Sequence, residues 1–141
     1  HPEPEQPNGR ARVKTNNLSC VLRVEAGGKA VLLTSDIEAV DEAALLARAP
    51  GLLKSDVLLA PHHGSRTSST PAFVAAVDAP EVIFPVGYRN RFGHPRADIV
   101  ARYAGRRLWR TDRDGALRIV LADAVELSAY RQEHRRYWHG R

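Results

Sequence analysis

Short apolar runs alternate along this chain with segments of helical periodicity, and its histidines and key carboxylates crowd at the ends of the runs. That alternation points to an α/β layered fold. Residues 19–26 and 29–34 are β-rich and separated by Gly27-Gly28, a hairpin signal. Residues 40–49 carry helical periodicity that Pro50-Gly51 stops. Residues 56–60 form a further apolar strand, followed by a helix at 71–77 with Thr70 as N-cap and a strand at 81–86. Pro95 is expected to start a helix through Ala104, with His94 at the N-cap. Two last strands, 107–111 and 116–122, flank Asp112-Arg113-Asp114-Gly115, read as a hairpin turn. Residues 1–14 read as a linker or lead-in, 15–123 as the domain body, and 124–141 as a basic tail that begins helical.

The 141 residues suffice for one core. No methionine is present, so the sequence reads as a piece of a longer protein. No apolar run approaches the ~20 residues that span a bilayer, so this piece is expected to be soluble. The single cysteine, Cys20, cannot form an internal disulfide and is expected to be a buried thiol beside Val21 and Leu22. The net charge of +5 comes mainly from arginine, whose planar fork suits phosphate. A nucleic-acid partner is permitted by that balance and not required by it.

Three strand-end segments carry chemistry. Asp36 follows the second apolar run, where a carboxylate serves as a metal ligand or as the cap of the next helix. His62 and His63 follow the third run, and adjacent side chains on an extended backbone point oppositely, one toward a metal and one toward a substrate. His94 lies after the fourth run. Together they can converge on a metal-activated water, with Arg66, Arg89 and Arg91 clamping phosphate oxygens. A solvated basic surface is the plainer reading of those arginines.

The blocks Leu32-Leu33-Thr34-Ser35-Asp36-Ile37-Glu38, Pro61-His62-His63-Gly64-Ser65-Arg66-Thr67-Ser68-Ser69 and Asn90-Arg91-Phe92-Gly93-His94-Pro95 occur in an order that resembles ComEC-type DNA-internalization competence proteins. The resemblance covers nearly the whole chain. It implies the C-terminal half of a metallo-β-lactamase-like αββα sandwich, in the extracytoplasmic part of an inner-membrane DNA channel. The implied activity is metal-dependent hydrolysis of the DNA strand that is not taken up. Asp36 matches a bridging metal ligand, His62 and His63 match a ligand and catalytic pair of unassigned order, and His94 matches a histidine at the rim. Ser65, Arg66, Arg89, Asn90 and Arg91 would bind substrate. The implied cofactor is a divalent metal, zinc or manganese. The implied partners are single-stranded DNA, the N-terminal half of the domain, the membrane channel, and a second copy through an exposed apolar surface. The fold's His-x-His-x-Asp-His segment does not occur in the sequence, so the metal set here is expected to be partial. Ser35 stands where glycine is usual. The alternatives are a catalytically incomplete single-stranded-DNA-binding module and another hydrolase of the same fold.

Overall fold

The computed structural model describes residues 15–134 and Arg136. The lead-in at 1–14 and most of the basic end, including Tyr137 and Trp138, lie outside the described residues. Strands β1 (Leu22–Ala26), β2 (Lys29–Leu33), β3 (Val57–Leu59), β4 (Glu81–Phe84) and β5 (Arg107–Arg110) form one sheet in chain order. β1 and β2 pair antiparallel across the Gly27-Gly28 turn, and β2 through β5 run parallel. Helices α1 (Ala39–Arg48), α2 (Pro71–Val77) and α3 (Ala97–Ala101) supply the crossovers. Chain ends that leave parallel strands therefore gather at one edge, where α/β sheets build sites.

Side-chain alternation divides the core in two. Leu32, Leu58, Val82 and Phe84 face one side and pack with Ile37 and with Phe73, Val77, Ile99 and Tyr103. Val31, Val57, Ile83 and Trp109 face the other and meet a second, two-stranded sheet, β6 (Leu117–Leu121) and β7 (Val125–Ala129). Helices, five-stranded sheet and hairpin thus form three layers. Cover on both faces explains why the central parallel strands β2, β3 and β4 are mostly apolar rather than alternating.

Four expectations are corrected. The segments at 107–111 and 116–122 do not pair, because they belong to different sheets. Between them Thr111–Asp114 winds a single helical turn, α4. The Asp114 carboxylate accepts from the Arg110 backbone N–H at 2.7 Å, and Asp112 grips the Arg110 guanidinium at 3.0 and 2.7 Å. The tail does not start as a helix: Val125, Leu127 and Ala129 alternate inward as β7, and a one-turn α5 (Tyr130–Glu133) follows. α3 begins at Ala97 behind Arg96, so His94 is not its N-cap. Pro95 is instead buried against Gly64. Cys20 is exposed, since it lies ahead of the first paired residue of β1.

The expected bare sheet face is mostly covered by β6 and β7. What stays open on that side is the β1 edge, where Leu22 is 55% and Val24 39% exposed.

Candidate metal and nucleic-acid site

β2 and β3 end side by side, and the turns that follow carry the polar cluster. Thr34, wholly buried, donates its hydroxyl to the Leu59 carbonyl at 2.7 Å and ties the two strand ends together. Ser35 then takes φ 52°, which turns Asp36 out of the sheet while Ile37 returns to the core. Serine fills a left-handed position here, which glycine occupies without steric cost. After β3, Pro61–Gly64 makes a tight 3-10 turn in which His62 (φ 47°, ψ 42°) and His63 (φ 57°, ψ 17°) are both left-handed. The extended backbone expected at this pair is therefore absent, and the rings do not diverge. Their centroids stand 6.3 Å apart.

Left-handed backbone at a residue with a Cβ costs about 1–2 kcal/mol each. Several contacts hold it in place. The His62 N–H donates to the Ser35 carbonyl at 3.0 Å and the Ser65 N–H to the His62 carbonyl at 2.9 Å. The Ser68 hydroxyl donates to the Pro61 carbonyl at 2.8 Å. Gly64 (φ 79°) closes the turn where a Cβ would lie 2.7 Å from Pro95 Cβ and 2.9 Å from Phe84 Cδ1, so only glycine fits.

His63 Nε2 stands 3.3 Å from Asp36 Oδ1. Its Nδ1 lies 2.7 Å from the Pro85 carbonyl oxygen, which can only accept, so Nδ1 carries a hydrogen. A neutral ring then turns the Nε2 lone pair toward a carboxylate oxygen. Two acceptors at that distance require a proton or a cation between them. Zinc bonds of about 2.0–2.2 Å at tetrahedral angles set ligand atoms about 3.4 Å apart, so the pair fits two corners of such a site. No group of three or more such donors is placed to hold a metal among the described residues.

His62 is held differently. Its Nδ1 lies 3.1 Å from Thr67 Oγ1 and 3.7 Å from Glu38 Oε1. Thr67 Oγ1 also sits 3.2 Å from Ser65 Oγ. The His94 ring lies 6.1 Å from that of His62. Burial first, then the neighbouring His62, His63 and Arg96, push the His94 pKa below the usual histidine range. Its buried Nδ1 has no hydrogen-bond partner among the described residues.

Asn90 spends its amide on the loop: its Nδ2 donates to the His94 carbonyl at 2.8 Å and its Oδ1 accepts from the His94 N–H at 2.9 Å. Arg66 pairs loosely with Asp98 at 3.5 Å, and Arg89 and Arg91 extend over the rings of Tyr88 and Phe92. The sequence reading passed over Glu38, Thr67, Phe92 and Arg96. Glu38 was findable, since it follows Asp36 by two residues. Thr67 was not, because only the folded turn brings it to His62.

Over 135 residues the chain is 37% identical to Competence protein ComA of Neisseria gonorrhoeae, covering 94% of this chain and 20% of that protein. It is 33% identical over 116 residues to ComE operon protein 3 of Bacillus subtilis, covering 81% of this chain and 14% of that protein. The chain is similar to competence proteins. Recombination protein 2 of Haemophilus influenzae is 38% identical over 87 residues, covering 62% of this chain and 11% of that protein. The chain spans a fifth or less of the length of these relatives. No protein-family model matches it, and no solved structure does. Among the described residues no helix is long and apolar enough to cross a membrane.

Proposed function

We propose that this chain is the C-terminal half of a metallo-β-lactamase-like domain in a DNA-uptake protein, and that it carries part of a metal-dependent site for hydrolysing the DNA strand that is not taken up. The domain works outside the cytoplasmic face of the inner membrane, next to the channel of the longer protein. The carrying observation is the Asp36–His63 pair, Oδ1 and Nε2 facing each other at 3.3 Å at the edge where parallel strands end. The similarity to competence proteins supports the DNA-uptake part of the reading. Helices packed on one face of the main sheet fit such a sandwich, while the β6–β7 hairpin covers the face that half of one was expected to leave bare.

In this reading Asp36 and His63 would hold a divalent cation, zinc or manganese, which when bound would supply Lewis acidity. His62, braced by Thr67, and His94, kept neutral by its surroundings, offer lone pairs to the proton lost when water attacks. Arg66, Arg89 and Arg91 hold backbone phosphates, and Ser65 lies at the floor of the same turn. The remaining ligands come from the N-terminal half of the domain, since a catalytic zinc needs about three protein donors.

A second reading, a catalytically incomplete module that binds single-stranded DNA, is favoured by the lack of a third donor among the described residues. DNA degradation with added manganese or zinc separates the two. The chain alone should not cleave, the longer domain with both halves should, and Asp36→Ala in that domain should abolish cleavage. A longer domain that never cleaves supports the binding module. One that cleaves undiminished after Asp36→Ala removes the metal assignment.

A further inference from the structure

The loop after β4 presents aromatic rings that the site described above does not use. Tyr88 is 69% and Phe92 63% exposed. Single exposed apolar side chains are ordinary, but two large rings in one short loop beside a charged cluster mark a contact surface. Phe92 is continuous with the site. Phe92 lies nearly parallel to His94, with centroids 5.9 Å apart at 16°, and His94 lies 6.1 Å from His62. A track of flat rings thus leads from the loop toward Asp36 and His63.

Cations accompany the track. The Arg89 guanidinium sits 5.2 Å from the Tyr88 ring and that of Arg91 5.0 Å from the Phe92 ring. Arg66 and Arg96 line an open hollow of about 640 Å³ beside it, together with Pro95 and Asp98. The loop is braced rather than loose. Asn90 closes it onto His94, Pro95 is wedged against Gly64, and Thr111 Oγ1 bonds both the N–H and the carbonyl of Val86 at 2.8 and 2.7 Å.

We propose that this loop is a stacking platform for unpaired nucleobases. Phe92 takes the base of a nucleotide next to the scissile phosphate, Tyr88 takes a base further out, and Arg89 and Arg91 hold the intervening phosphates. Bases in a duplex already stack on one another and offer these rings no face, whereas a single strand does. An arginine over an aromatic ring keeps the ring oriented until a base displaces it, and its charge then serves a neighbouring phosphate. The substrate class is therefore a single strand or the frayed end of a duplex. The proposal rests on the reading of the site as one that acts on DNA.

Fluorescence anisotropy at fixed salt tests it with three probes: a short labelled single-stranded oligonucleotide, an abasic strand of the same length and charge, and the matching duplex. The chain should bind the single strand about tenfold or more tightly than the abasic strand. Phe92→Leu should collapse that ratio toward one, and Phe92→Tyr should keep it. Arg91→Ala should weaken both strands together. Equal binding of the base-bearing and abasic strands, or a ratio that survives Phe92→Leu, overturns the platform and leaves the DNA reading intact. No affinity for any of the three probes overturns both.

Discussion

His62 and His63 occupy two successive left-handed positions, and that backbone decides what each ring faces. Nothing in Pro-His-His-Gly announces two successive left-handed residues, because histidine ordinarily avoids that region and the turn is imposed by contacts to Ser35, Ser68 and Pro95 from elsewhere in the chain. Without that turn the rings would diverge, and His63 would not face Asp36 while His62 faces His94. Gly64 is the residue on which the turn depends. Gly64→Ala places a Cβ against Pro95 and Phe84 at a positive φ, and the expected cost is about 2–4 kcal/mol. Urea unfolding of the variant measures it. A change under about 0.5 kcal/mol would mean that the contact with Pro95 does not constrain the turn.

Among the elements, α1 does more than cross over. Glu42, on its inner face and fully buried, accepts from the backbone N–H of Ser69 and, at 2.8 Å, from that of Thr70. It thereby pins the segment that delivers Thr67 to His62 and caps α2. Arg102 and Tyr103 hold the same segment from α3's C-terminal end, at Ser69 O and Ser69 Oγ. Burial outweighs these bonds and raises the Glu42 pKa above its ordinary value. A raised pKa in the fold means that the native state binds the proton more tightly than the unfolded chain does. The associated stability is complete below the ordinary value near 4.5 and falls as pH rises through the raised one. Glu42→Gln should remove that fall in stability above pH 4.5, read from urea midpoints across a pH series. An unchanged slope would assign it to other groups. Glu42 could not be recognised in advance, since a glutamate in an alanine-rich helix reads as solvated until Ser69 and Thr70 are seen beneath it. The apolar runs of β2, β3 and β4 were plain for the opposite reason: cover on both faces leaves polar residues only at their starts, Lys29 and Glu81. β7 was missed although its period-two pattern, Val125-Glu126-Leu127-Ser128-Ala129, was present, because the charged residues after it suggested a tail.

At the scale of the whole molecule, the fold gathers the polar strand-end segments at one edge of the main sheet. Asp36, the histidine pair and His94 come from three separate crossovers, and each follows a strand of the same sheet. That convergence was readable from strand ends alone. The two-sheet layering was not, because the Asp-Gly segment looked like a hairpin and became a link between sheets. The proposed metal site has fewer than three donors among the described residues, so its test belongs in the longer domain. Zinc and manganese titrations followed by calorimetry, on that domain and on its Asp36→Asn and His63→Ala variants, address it most directly. Each substitution should weaken metal binding by about 100-fold or more, at least as much as disrupting a ligand's hydrogen-bond partner does. Affinity that is unchanged in both variants would contradict the proposed metal site.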